Sequence, residues 1–536
     1  MGEKEKTVSA KTGTYIGVTD GYTVEFRGVH YAAPVGLWEH PQPLKTTRAD
    51  VINAKQYGPT CIQPYNVGEP TSTGPTANDC LYLNIATKDN DNKNKPVLLY
   101  MHGGSYLTGG GADPITCGRN LVSILPEGED MVVVTVGYRL GIFGSLDLSL
   151  LEGENEYGDT RSLFLEDEIA ALRWVYENIE AFGGDPSRIT VSGQSAGSMS
   201  VLFLIANEEA RKYIHGGIAQ SGFPTFGMSS PEIKKKLSRN IFGALGIKTV
   251  EDFKKTDEQF WRDHYMETLV PNVDLICPRV QDGTAIKEDY WQCIVDGAAK
   301  GIPLMIGVGS GEMDLLWKQK DGSLTTADFM MDRLYSHFAD FGHCPGQILP
   351  ADHQDAIDEY MTGHEGEFRR AVDLYAAFAT TIGMYNYANE QSRHADTFVY
   401  VWDWMPDSNL LTMPEMESHF SPYGRSLHCA ELPVLFNSGD VGYECIGRWW
   451  MSYLDDPQFH KLPKEVVPYE YALRTAMTWY SFAKNGDPNN DYIPQWPKYD
   501  PQTHAHMYMS DEWKIKPDWV IEDMDILLKI KPTPLK

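Results

Sequence analysis

Apolar residues follow two rhythms along this chain, and each switch between them marks a new element. From Tyr22 to Phe26 apolar and polar residues alternate, as in a half-buried strand, before the chain turns through Ala32-Ala33-Pro34. Two apolar runs, Leu81–Ala86 and Val97–Met101, flank the polar stretch Lys88–Lys95 and predict two adjacent strands. Met131–Val136 is a continuous, β-branched run, the signature of a strand buried on both faces. From Phe164 to Ile179 the period lengthens, and Leu165, Ile169, Leu172, Val175, Tyr176 and Ile179 fall on one helical stripe that Gly183-Gly184-Asp185-Pro186 stops. Arg188–Ser192 predicts a short strand and Ala196–Ala206 a helix. Strand and helix in alternation predict an α/β fold, a parallel sheet covered on both faces. Residues 230–300 and 320–395 read as mainly helical and are candidates for cap insertions over a sheet edge. Thr397–Trp402 returns to strand character.

The chain has 536 residues, 42% of them hydrophobic, enough for a large core. At ~150 residues per domain the length alone would give three or four units. No Pro-, Gly- or Ser-rich linker and no internal repeat divides it, so one large domain over 1–536 with long insertions is expected. The net charge of −28 argues against nucleic-acid binding. Lys234-Lys235-Lys236, the longest basic run, reads as the exposed face of a helix. No apolar segment reaches the ~20 residues that span a bilayer. The polar start, Met1-Gly2-Glu3-Lys4-Glu5-Lys6, lacks the apolar core of a secretory signal and favours the cytoplasm, unless a signal has been trimmed upstream. None of the eight cysteines forms a C-x-x-C pair, which leaves a zinc or redox motif without support. His504 and His506 read as surface histidines.

Chemistry enters with Gly193-Gln194-Ser195-Ala196-Gly197, which fits G-x-S-x-G. A strand precedes it and a helix follows. In that setting the serine is lifted out of the sheet on a sharp turn that small neighbours allow to close. A serine hydroxyl still needs a base and a place for the oxyanion. His102-Gly103-Gly104-Ser105 follows the run Val97–Met101, and its glycines let backbone N–H groups converge. The oxyanion hole is therefore assigned to the N–H groups of Gly104, Ser105 and Ala196. A purely structural turn competes at both glycine pairs, and their position after core strands weighs against it. Among fifteen histidines, His428 is preferred because a triad ordered serine, acid, histidine needs its base late in the chain. The acid then lies between them. Glu312 and Asp314 both follow the apolar run Pro303–Val308 and a Gly-Ser-Gly turn, and the residues alone do not separate them.

These segments resemble the type-B carboxylesterase family, which includes the cholinesterases, over nearly the whole chain. Phe26-Arg27-Gly28-Val29-His30-Tyr31-Ala32 is similar to the family's opening F-x-G-I-P-Y-A, and Asp79-Cys80-Leu81-Tyr82-Leu83-Asn84 to its E-D-C-L-Y-L-N. Phe182-Gly183-Gly184-Asp185-Pro186 with the serine turn matches its most specific stretch, and Phe482-Ala483-Lys484-Asn485-Gly486-Asp487-Pro488 with Trp496-Pro497 resembles its end. The resemblance implies an α/β-hydrolase fold: a large, mostly parallel central sheet flanked by helices, with helical cap insertions. It implies the triad Ser195, Glu312 and His428, so that Glu312 is favoured over Asp314. It places the oxyanion donors on Gly104, Ser105 and Ala196, and a supporting serine on Ser221. The family's first disulfide falls on Cys61 and Cys80, whose closure would contribute roughly 3 kcal/mol. Cys277 and Cys293 form a weaker second pair.

Some positions depart from the family pattern. Gln194 stands for a common glutamate, Asp167-Glu168 for D-Q, Ser105 for glycine or alanine, and Met313 for glycine. The stretch from Cys61 to Cys80 contains Tyr65 and no tryptophan, which argues against a choline-binding enzyme. The implied activity is hydrolysis of short-chain or aromatic carboxylic esters through an acyl-enzyme, with no cofactor and no metal. A lipase for longer acyl chains and a non-catalytic binding module of the same fold are the alternatives. The intact set of serine, acid, base and oxyanion glycine weighs against the second.

Overall fold

Strands that are apolar on both faces belong in the middle of a sheet, and this sequence supplies several. A computed structural model of the protein describes residues 3–63, 75–225, 228–269, 272, 279–280, 285–317, 324–339, 347–406, 424–439, 467–517 and 520–532. The amino-terminal strands β1 (Lys4–Ala10), β2 (Gly13–Thr19) and β3 (Thr23–His30) pair antiparallel, and β3 pairs in the same sense with β4 (Tyr82–Lys88). Next along the chain come β5 (Lys95–Met101), β6 (Val132–Val136), β7 (Gly184–Gln194), β8 (Gly216–Gln220), β9 (Leu304–Gly309) and β10 (Thr397–Trp402). The last two strands are β11 (His506–Met509) and β12 (Trp513–Lys516). The sheet order is β1-β2-β3-β4-β6-β5-β7-β8-β9-β10-β11-β12. Every neighbouring pair from β6 to β11 is parallel.

The order corrects one expectation. Leu81–Ala86 and Val97–Met101 both lie in strands, β4 and β5, but the two are not adjacent, because β6 lies between them. All five residues of β6 are buried. A strand apolar on both faces gains more between two partners than at an edge. The chain brings it there through helix α1 (Gly118–Ile124), which packs on β4 and β6.

Helices cover both faces. The predicted stripe becomes α2 (Leu163–Asn178), closed by a 3-10 turn and by Gly183 in the left-handed region (φ 90°). Strand β7 is longer than the predicted Arg188–Ser192 and takes in Gly184-Asp185-Pro186, with a register shift against β5 between Gly184 and Ile189. Helix α3 (Ala196–Ala206) packs on β7 and β8; ten of its eleven residues are buried, so it is apolar all round rather than striped. The two helical stretches contain α4 (Pro231–Leu245), α5 (Glu258–Leu269), α6 (Ala327–Ala339), α7 (Phe368–Ala376) and α8 (Ile382–Gln391). Helix α8 packs on β9 and β10, so the second stretch ends against the sheet itself. Helix α9 (Tyr469–Asn485) covers β5 on the other face.

Two surface expectations are also corrected. Lys234 is fully buried, because helical spacing puts it on the inner stripe of α4 with Leu237, Ser238 and Ile241. His506 is 1% exposed, since it opens β11 between β10 and β12. Among the described residues no helix is long and apolar enough to cross a membrane.

Candidate active site

The serine turn is built from backbone crowding. Ser195 joins β7 to α3 with φ 57° and ψ −119°, a conformation that costs a non-glycine residue about 1–3 kcal/mol. Its N–H donates to Gln220 O at 2.7 Å, and its carbonyl accepts from Met199 N–H at 3.2 Å. A Cβ on Gly193 would collide with Gly197 O, one on Gly197 with Met101 O, and one on Gly222 with Ser195 O. The glycines of the motif are thus required by the close approach of β5, β7 and α3.

The turn after β5 lies directly against this serine. A Cβ on Gly103 would stand 2.8 Å from Gln194 O and 3.2 Å from Ser195 Cβ. Gly104 has φ 107°, and a Cβ there would strike Thr108 O. Ser105 and Tyr106 also adopt positive φ, 55° and 57°. The loop is pinned from below by His102, whose Nδ1–H donates to Gly103 O at 2.7 Å and whose ring stacks on Tyr138 at 4.3 Å. Burial drives the His102 imidazole down to about 4, so it is neutral and serves only as a hydrogen-bonded prop. Tyr106 reaches Ser200 Oγ at 2.8 Å, and Ser200 donates to the buried Glu168 at 2.7 Å. This support was not apparent in the sequence.

The predicted acid and base, Glu312 and His428, lie on the loops after β9 and β10. Glu312 Oε2 lies 2.5 Å from His428 Nδ1. Its Oε1 accepts from Ser221 Oγ–H at 2.6 Å and from Gly309 N–H at 2.5 Å. Glu312 is 1% exposed and His428 5%. Three donors thus converge on the two oxygens of Glu312. Burial pulls the His428 imidazole down, but its neighbours Cys429 and Glu312, the latter a carboxylate on Nδ1, outweigh it and hold His428 well above its ordinary value. On the far side of the ring, Gln194 Nε2 stands 3.2 Å from His428 Nε2.

The structure separates the two acids that the residues left equal. Asp314 faces Arg425, whose Nε donates to it at 2.9 Å, and does not meet the imidazole. Glu431, three residues past His428, is buried and accepts from Gln220 Nε2 at 3.1 Å. Its burial and the nearby charge of Glu312 push its carboxyl up to about 7. Cys61 and Cys80 lie thiol against thiol, both free and buried. Cys293 is likewise free, and Cys277 and Tyr65 lie outside the described residues. Among the described residues no group of three or more His, Cys, Asp or Glu could hold a metal ion.

The model of the carboxylesterase family matches residues 4–522. The para-nitrobenzyl esterase of Bacillus subtilis (strain 168) is 30% identical over 528 residues, covering 95% of this chain and 96% of that protein. The phenmedipham hydrolase of Pseudarthrobacter oxydans is 28% identical over 515 residues, 92% of either chain. A solved PNB esterase superposes with a TM-score of 0.78 at 25% identity, over 99% of this chain and 100% of that one. A Geobacillus stearothermophilus carboxylesterase does so with a TM-score of 0.74 at 27% identity, over 95% and 97%. These neighbours share the α/β-hydrolase sheet described above. The family match runs through every strand and loop that builds this site, and the chain belongs to the carboxylesterase family.

Proposed function

We propose that this carboxylic ester hydrolase cleaves short-chain or aromatic esters with Ser195 as nucleophile, His428 as base and Glu312 as the acid that orients it. His428 Nε2 takes the Ser195 hydroxyl proton as the oxygen attacks the ester carbonyl. The N–H groups of Gly104, Ser105 and Ala196 receive the oxyanion; loss of one such donor costs about 3 kcal/mol in related chemistry. The imidazolium returns its proton to the departing alcohol, leaving the acyl group on Ser195. Water, deprotonated by the same nitrogen, then releases the acid and restores the serine. Ser221 supports the set through Glu312.

The observation that carries this reading is the Glu312–His428 contact of 2.5 Å, buried behind a strained serine turn. The substrate range is supported by the para-nitrobenzyl esterase and phenmedipham hydrolase relatives. The test is hydrolysis of p-nitrophenyl esters from acetate to palmitate by wild type beside Ser195→Ala. Turnover of short chains that vanishes in the variant supports the reading. A preference for palmitate supports the lipase alternative, and no turnover by folded wild type at any length refutes a general esterase.

A further inference from the structure

Arg425 stands three residues before His428 and is enclosed by two carboxylates from different parts of the chain. Its Nε and one terminal nitrogen grip both oxygens of Asp314, on the turn just past Glu312. Its other terminal nitrogen lies 2.7 Å from Asp373 Oδ1, on α7 in the second helical stretch. Asp314 is 1% exposed and Asp373 8%. Helix α7 also packs on the 3-10 turn Asp314–Trp317. Backbone bonds join the same two loops: Gly311 N–H donates to Ser426 O at 2.9 Å, and Ser426 N–H to Ser310 Oγ at 3.1 Å.

We propose that Arg425 is a positioning residue for ester hydrolysis, which clamps the acid loop to the base loop and ties both to helix α7. This rests on the reading of Ser195, Glu312 and His428 as the triad. A guanidinium fixes two planar contacts at once, so it sets the angle between the loops as well as their distance. The Glu312–His428 hydrogen bond joins the two loops directly, and a rotation of either would lengthen it. The second carboxylate on the clamp comes from α7, so the position of that helix is coupled to the acid and base loops through Arg425. Arg369, 3.8 Å from Asp373, is mostly exposed and does not replace the clamp.

The experiment compares Arg425→Met, Arg425→Lys and Asp373→Asn with wild type and Ser195→Ala on p-nitrophenyl acetate. A chromogenic phosphonate counts competent serines, so that misfolded enzyme drops out of the rates. The expected result for Arg425→Met is a per-site kcat lower by about tenfold with KM little changed. The acid limb of kcat/KM should also fall by about half a pH unit, because a looser Glu312 contact no longer holds the proton on His428. Arg425→Lys should recover part of the rate, and Asp373→Asn should move both readouts in the same direction by less. If Arg425→Met does not fold, the other two variants carry the test. Losses confined to the number of competent serines, with per-site kcat and acid limb unmoved, overturn the clamp. A Ser195→Ala enzyme that still turns over overturns the triad reading instead.

Discussion

His428 touches groups of opposite effect, and in the proposed mechanism its protonation sets when the enzyme works. Only the neutral imidazole can accept the serine proton, so kcat/KM rises as His428 deprotonates. Its raised value places that rise above the ordinary 6.5. Replacing Glu312 by glutamine removes a charge that stabilises the imidazolium, so the proton leaves at lower pH. For Glu312→Gln we expect the acid limb of the pH–rate profile to move down and kcat to fall by about 10⁴-fold. A profile whose limb stays in place would detach Glu312 from the base. At Gly104, φ 107° and the contact with Thr108 O leave no room for a side chain. Gly104→Ala should fold, as circular dichroism would show, yet lose about 10²-fold in kcat. Near-wild-type turnover would mean that this N–H is not part of the oxyanion hole.

Elements fix these residues by joining neighbouring strands at their ends. Strands β5 and β7 are parallel partners, pairing Gly193 with Met101, so the turn after β5 and the serine turn are held together by main-chain ladders. One buried ion pair braces this end of the sheet. Arg139, in the loop after β6, meets Asp167 of α2 through Nε at 2.8 Å and a terminal nitrogen at 2.7 Å, and both are fully enclosed. Asp167→Asn leaves the guanidinium charge without its partner and should cost about 3–5 kcal/mol, whereas Arg139→Met with Asp167→Leu should recover most of it. Urea unfolding checks both, and a single-variant loss under about 1 kcal/mol would refute the brace.

Much of this level was legible in the residues. Ala196–Ala206 and Thr397–Trp402 were predicted with their observed bounds, because caps, periods and β-branched runs are local signals. The place of β6 between β4 and β5 was not, since pairing is decided by which strand gains most from two partners. Lys234 and His506 misled for a related reason: residue type implied water, and the tertiary packing decided otherwise. In the site, Ser195 and the glycine turn were readable from their neighbours. The residues alone did not separate Glu312 from Asp314, though the family resemblance favoured Glu312; the local signal was missing because Asp314 is taken by Arg425, 111 residues past it.

At the scale of the whole molecule, buried carboxyls tie stability to pH. Glu431, held at about 7, keeps its proton in the folded chain where the unfolded chain, near the ordinary 4.5, has released it. Its contribution is therefore fully present below pH 4.5 and is lost as pH rises to about 7. Glu431→Gln does not titrate and can still accept from Gln220. It should be more stable than wild type at pH 8, with no such gain at acid pH. Equal urea midpoints for the two proteins at pH 8 would refute the burial cost.

The proposed reacting groups are gathered from the ends of β5, β7, β9 and β10, and this order has a consequence for synthesis. A growing chain exposes its nucleophile and oxyanion turn long before its base, and strands β11 and β12 emerge later still. A nascent chain stopped ahead of His428 carries an unactivated serine, chemically little different from any other. Hydrolysis by ribosome-bound fragments of increasing length would thus begin only after the final loops have emerged and docked. On this reading, activity marks a chain whose base loop has docked, and unfinished copies leave esters untouched.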